Sequence, residues 1–220
     1  MHTVRILKVE PVTHDVRRFT VEKPQGFRFD PGQATEVAIN KPGWHEQKRP
    51  FTFTSLNEWP HLEFTIKIYA DHDGVTNQLG QLGPGDELLI DDPWGTIQYK
   101  GPGCFIAGGA GVTPFIAILR QLAKDGQLAG NTLLFSNKTN RDIILREEFE
   151  GMAGLTCVFT VTDEPDPDLE NRLIDRAFLE EKVADFGQYF YVCGPAQMVD
   201  DIKRHLTALG GQADAIVFEE

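Results

Sequence analysis

GCFIAGGAGVTP, residues 103 to 114, is where this 220-residue chain changes its grammar. Cys104, Phe105, Ile106 and Ala107 form a short apolar run suited to a sheet covered on both faces, and it ends in Gly108, Gly109 and Gly111. Thr113 then leads into a helical stretch, PFIAILRQLAKDG, whose Pro114 sits in the first turn, where its missing N–H is no loss. A buried strand passing through glycines into a helix is the opening of a βαβ unit. The pattern repeats downstream. NTLLFSN (131–137), LTCVFTVTD (155–163), QYFYVCG (188–194) and DAIVFEE (214–220) read as strands. ILREEFEGM (144–152), DRAFLEEKVADF (175–186) and AQMVDDIKRHLTALG (196–210) read as the helices between them. Right-handed crossovers then give a parallel sheet with helices on both faces.

Upstream of YKGPGC (99–104) there is no such alternation. TVRILKVEPVT, DVRRFTVEKP, QATEVAIN, RPFTFTSL, LEFTIKIY and DELLIDDP are short, β-branched or alternating segments, separated by turns such as PQG, FDPG, KPGW and LGPGD. Six strands at this spacing predict a small antiparallel barrel. One helix is expected within it, VTNQLGQL at 75–82. The sequence therefore predicts two domains: an antiparallel β-barrel over 1–100 and an α/β parallel-sheet domain over 101–220.

Composition narrows the function. Apolar residues make up 41% and charged ones 25%, a globular balance. No window approaches the 18 apolar residues of a membrane span, and the N-terminal stretch lacks the h-region of a signal peptide, so the cytoplasm is the expected compartment. Cys104, Cys157 and Cys193 are scattered, with neither a zinc spacing nor an iron–sulfur run. The net charge is −12. Residues 1–100 hold 11 basic against 14 acidic residues, and residues 101–220 hold 10 against 19. Such a chain repels phosphate backbones, which makes nucleic acid a poor partner. An acidic protein would dock on the first half, where Arg17, Arg18, Lys48 and Arg49 stand.

Ligands of open parallel sheets bind outside the carboxyl ends of the strands. Two such ends carry chemistry here. Gly108, Gly109 and Gly111 allow close backbone approach, and the helix opened by Thr113 and Pro114 offers unpaired N–H groups to a pyrophosphate. Cys193, Gly194 and Pro195 end the fourth strand, and Cys193 is either a presented thiol or a packed core cysteine. In the barrel half, KRPFTFTS (48–55) alternates Phe51 and Phe53 with Thr52 and Thr54, the look of a half-buried strand.

An Arg-Pro-aromatic-Thr strand in a barrel, a Gly-rich turn ending in Thr-Pro, and a late Cys-Gly-Pro, in that order, resemble the ferredoxin–NADP reductase superfamily. This flavin-dependent group includes cytochrome b5 reductase and the flavodoxin reductases, and the resemblance spans essentially the whole chain. It implies FAD on the barrel and NADH or NADPH on the α/β domain. Arg49, followed by Pro50, would pair with the FAD pyrophosphate through charge-assisted hydrogen bonds. Phe51, where the family usually has Tyr, would lie against the flavin, and the Thr52 hydroxyl would face flavin N5. Gly74, Val75 and Thr76 match the family's second pyrophosphate contact, or are a plain turn and helix cap. Thr113 would lie beside the nicotinamide and Cys193 near its C4, with Gly194 and Pro195 shaping the pocket. Glu219 takes the place of an active-site carboxylate, or is a solvated terminal residue. A terminal aromatic covering the flavin is missing unless Phe218 substitutes for it.

Discrimination of the 2′-phosphate belongs to the end of the second parallel strand, with Asn137 and Lys138. SNKTNRDIILREEFE resembles the segment of NADH-using members, while Ser136, Lys138 and Arg141 could hold a phosphate. The implied activity is hydride transfer from NAD(P)H to FAD, followed by single-electron transfer to a separate carrier, flavodoxin or ferredoxin. Alternatives are a flavin reductase and a non-catalytic electron-relay subunit of a larger complex. Nothing in the sequence fixes the oligomeric state.

Overall fold

The computed structural model describes residues 1–95 and 97–218, the last of these in its backbone only, so Glu219 and the Phe218 side chain lie outside the described residues. The first half forms six strands among the described residues: β1 His2–Pro11, β2 Val16–Glu22, β3 Ala34–Ile39, β4 Arg49–Thr52, β5 His61–Lys67 and β6 Glu87–Ile90. They pair antiparallel in the order β4-β3-β6-β1-β2-β5. A bridge from Phe53 to Phe64 joins the two ends of that order and nearly closes the barrel. Alternation decides what lies inside. Phe53 is fully buried and packs on Phe29 at 4.4 Å, Phe64 at 5.2 Å and Phe27 at 5.7 Å between ring centres. Thr52 and Thr54 fall on the opposite side, facing the second half. The expected helix at 75–82 is shorter: α1 is Val75–Leu79, because from Gly80 the chain turns to seat buried Leu82 in the barrel core.

In the second half, β7 Gly103–Gly108, β8 Asn131–Asn137, β9 Leu155–Val161, β10 Tyr189–Cys193 and β11 Ile216–Phe218 form a parallel sheet in the order β11-β10-β7-β8-β9. The connecting helices are α2 Thr113–Lys124, α3 Arg146–Glu150, α4 Arg176–Lys182 and α5 Ala196–Ala208. Along β7, Phe105 and Ala107 enter one apolar layer and Cys104 and Ile106 the other, as a doubly covered strand requires. The layer on the α2 side also takes in Val16 and Ile97, so the barrel docks there. The connection from Ile90 to Gly103 is held by Tyr191, whose hydroxyl accepts from the N–H of Lys100 (2.9 Å) and Gly101 (3.1 Å) and donates to the Gly101 carbonyl (2.8 Å).

Arg120 on α2 crosses the domain boundary. Its guanidinium makes a forked pair with Glu148 (2.6 and 2.9 Å) and reaches over to Glu63 Oε1 (2.7 Å) and the Thr54 carbonyl (2.6 Å). Its side chain is 9% exposed and that of Glu63 6%. The Trp59 ring lies against the guanidinium at 5.3 Å. Burial pulls the Arg120 pKa down, but the bonds to Glu148 and Glu63 outweigh it and hold it above its ordinary value. No helix among the described residues is long and apolar enough to cross a membrane.

Arg120→Ala leaves buried Glu63 with only the longer ion pair to Arg18 at 3.6 Å, and is expected to cost up to about 3–5 kcal/mol. Urea denaturation of Arg120→Ala, Glu63→Ala and the double variant is expected to give a coupling of about 1–3 kcal/mol between the two residues. Additive losses would mean that the two do not act as a pair.

Candidate active site at the domain interface

The chain runs from β7 outward through β8 to β9, then returns to place β10 on the other side of β7. The carboxyl ends of β7 and β10 are thus neighbours at the point where the strand order reverses, with Ala107 in register with Cys193. Both chemically loaded strand ends meet here. The glycines are needed for a reason beyond the close ligand approach expected from sequence. A Cβ on Gly111 would lie 2.6 Å from the Cys193 carbonyl oxygen and 2.6 Å from Gly194 Cα, and one on Gly108 would strike the Met198 sulfur. Their missing side chains let the two loops touch. Gly109 has φ +52°, a conformation favouring glycine.

Beside this junction lies a cavity of about 310 Å³ that both domains line. The barrel contributes Ala34, Pro50, Phe51, Thr52 and Thr65, the interdomain connection Trp94, and the α/β domain Ala110, Gly111, Thr113, Cys193 and Gly194. The Thr52 hydroxyl is in a residue only 8% exposed and has no hydrogen-bond partner among the described residues. Thr113 donates to the Ala110 carbonyl at 3.0 Å. An aromatic wall, an unpaired hydroxyl and a glycine floor fit a planar, polar-edged ring system such as a flavin.

A second cavity of about 1090 Å³ continues from Gly108, Gly109 and Gly111 past Gly194 and Pro195 to Asn137 and Lys138. Asn137 is 5% exposed, and neither its amide nitrogen nor its amide oxygen has a partner. A buried amide with all its bonds unmade is uncommon and signals a polar ligand. Lys67 of the barrel also lines this cavity and is tied to Asp15 at 2.9 Å. Burial depresses the Lys67 pKa, but the bond to Asp15 more than offsets this and raises it.

Not every expected residue lines these cavities. Pro114 is buried in α2 and lines neither. Arg49 is exposed on β4, where its guanidinium donates to the Lys48 carbonyl at 2.7 Å. Gly74, Val75 and Thr76 open α1 away from both, Gly74 extended at φ −133° and Val75 buried. Trp94 and Thr65 were not foreseen, because long-range strand pairing brings them here, and Met198, three residues after Pro195 on α5, was not singled out. None of the three cysteines forms a disulfide. Burial pushes the Cys104 thiol far up, and the Cys157 thiol to about 11, aided by Glu150, so neither forms a thiolate near neutral pH. Cys193, 8% exposed, is the cysteine that lines the site.

A barrel and a switch-point sheet that share a lined cavity define a flavin- and nicotinamide-binding oxidoreductase fold. Residues 3–99 match the oxidoreductase FAD-binding domain family, and residues 105–204 the oxidoreductase NAD-binding domain family. The chain belongs to the ferredoxin–NADP reductase superfamily, which includes cytochrome b5 reductase-like proteins. It is similar to the propane 2-monooxygenase reductase component of Rhodococcus jostii strain RHA1, 28% identical over 98% of this chain and 62% of that protein. NADH-cytochrome b5 reductase 2 of Mycosarcoma maydis is 28% identical over 95% of this chain and 69% of its own length. The chain thus spans about two thirds of these curated relatives. Its fold is also that of a ferredoxin NADP+ reductase from Neisseria gonorrhoeae (TM-score 0.86, 20% identity, 99% of this chain and 97% of that one).

Asn137→Ala removes an amide that the ligand-free protein leaves unsatisfied. Its ligand-free melting temperature is expected to equal or exceed the parent's, while NADH binds about three- to tenfold more weakly. Thermal unfolding and calorimetric titration check the two arms, and a destabilised variant with unchanged NADH affinity would refute the assignment.

Proposed function

We propose that the chain carries reducing equivalents from NADH to FAD and on to a separate one-electron carrier protein, a flavodoxin or a ferredoxin. The observation that carries this reading is the cavity between the domains, where Phe51 and Thr52 of the barrel share one space with Thr113, Cys193 and Gly194. When bound, the nicotinamide supplies a hydride and the flavin accepts it and gives up electrons one at a time. The protein's task is placement, because hydride donor and acceptor must approach to about 3–3.5 Å. Phe51 supplies a flat apolar surface and Thr52 a hydroxyl for the flavin edge. Gly111, in contact with Gly194, keeps the floor thin enough for a nicotinamide to lie over that edge. Thr113 and Cys193 border the nicotinamide, and Pro195 bounds it toward the larger cavity. Arg49 on its exposed strand is the cation for the FAD pyrophosphate, with Gly74, Val75 and Thr76 offering backbone N–H groups and a hydroxyl to the same anion.

Three carboxylates line the larger cavity, Asp142, Asp175 and Asp201, against two lysines, Lys67 and Lys138. Lys67 is already paired with Asp15. This balance disfavours the extra dianion of a 2′-phosphate and favours NADH. The separate acceptor is supported by relatives named as reductase components, among them the ferredoxin–NAD(P)+ reductase component of a Pseudomonas putida naphthalene 1,2-dioxygenase system. The Neisseria gonorrhoeae neighbour is described with bound FAD and NADP, which supports the pair of cofactors.

An anaerobic absorbance titration of the purified protein tests this reading. A yellow protein bleached by one equivalent of NADH, and far more slowly by NADPH, is the expected result. A colourless protein that does not take up FAD, or a flavin that neither nucleotide reduces, would overturn it. Arg49→Ala is expected to lose FAD on gel filtration, and a flavin-replete, fully active variant would refute the role of that guanidinium.

A further inference from the structure

Four residues from four segments form one row across the face of the barrel that meets the nucleotide domain. Thr52 is in register with Ala34. Ala34 is paired with Trp94 by two backbone hydrogen bonds, the Ala34 N–H to the Trp94 carbonyl at 2.7 Å and the Trp94 N–H to the Ala34 carbonyl at 2.8 Å. The antiparallel bridge between Phe53 and Phe64 sets Thr65 opposite Thr52 on the other side. Residues facing each other across antiparallel strands present their side chains on the same face. All four line the 310 Å³ cavity.

The row has a chemical gradient. It begins with two hydroxyls at Thr65 and Thr52, passes the methyl of Ala34 and ends on the indole of Trp94. Strands lie about 4.8 Å apart, so four neighbours span about 14 Å, enough to seat a tricyclic ring along its long axis. An isoalloxazine carries the same gradient, from an oxygen- and nitrogen-rich pyrimidine edge to an apolar dimethylbenzene edge. Trp94 is 41% exposed, among the few large apolar side chains left open to solvent. Its backbone is nonetheless fixed on both sides of the Ala34 pair, and Gly95 turns the chain away from it at φ +132°. A pinned backbone that presents an open aromatic into a cavity fits a surface awaiting a flat partner.

We propose that Trp94 contacts the benzenoid end of the flavin and covers it from solvent, while Thr65 and Thr52 take the pyrimidine end. Ala34 is small because the ring passes over it. This inference rests on the proposed FAD site and adds the direction in which the ring lies and the residue that closes its far end. Aromatic contact of this kind changes affinity by about three- to tenfold.

The test uses the whole chain, stripped of flavin and reconstituted with FAD, as parent, Trp94→Phe and Trp94→Ala. An indole in contact with an excited flavin quenches it by electron transfer, and a phenyl ring does not. The bound flavin of Trp94→Phe should be markedly brighter than the parent's, with FAD still bound. Trp94→Ala should be brighter as well and bind FAD about three- to tenfold more weakly. The Phe variant keeps the aromatic bulk, so the test stands even if the Ala variant does not fold. A parent that binds FAD while Trp94→Phe matches its brightness overturns the role of Trp94 and leaves the FAD site intact. A parent that binds no FAD overturns the underlying site instead.

Discussion

Arg120 is the side chain on which the geometry between the domains depends. It is drawn from the middle of α2, the helix that begins at the nucleotide turn, and it ends on Glu63 and the Thr54 carbonyl in the barrel wall. Thr54 also donates to Glu63 at 2.8 Å, and the backbone N–H of Glu63 donates to the Ser55 hydroxyl. A buried pair of this sort adds little net stability over an apolar substitute, because desolvation cancels much of the attraction. Its value is directional. A forked guanidinium held by two carboxylates and a carbonyl fixes the angle and offset between two bodies in a way that apolar contact does not. Thr52, two residues before Thr54, inherits that offset and with it the spacing to Thr113 and Cys193.

The nucleotide side is constrained differently. There the requirement is absence: Gly108 and Gly111 lack Cβ atoms so that the loops after β7 and β10 can lie against each other. Helix and sheet packing set the positions of Phe105, Tyr191 and the Tyr191 hydroxyl, and that hydroxyl in turn anchors the connection leading from the barrel. The site is therefore shaped locally by missing side chains, while the ionic tie and the tyrosine anchor act from outside its lining.

Much of this was legible in the sequence. The change from alternating strands to βα units at YKGPGC gave both architectures, since binary pattern tracks the period of each element. The GGAGVTP and CGP runs pointed to the strand ends that the topology brings together. Helix lengths were overestimated at VTNQLGQL, ILREEFEGM and DRAFLEEKVADF, because apolar spacing does not record where a turn takes over. Arg120, Glu63 and Trp94 were harder for a single reason. The role of each depends on a partner that is distant in sequence: Glu63 is 57 residues from Arg120, and Ala34 is a strand pairing away from Trp94. Periodicity carries no information about such pairings. Glu219 falls outside the described residues.

Val16 and Ile97 belong by sequence to the barrel half, yet they are buried in the same apolar layer as Phe105, Phe115 and Ile118. The architectural seam is therefore not a seam in the energy of the molecule. Cutting the chain near residue 100 would strip two side chains from the nucleotide domain's core and open an apolar face on each fragment. An evolutionary exchange of its halves would have to carry matched residues at both positions.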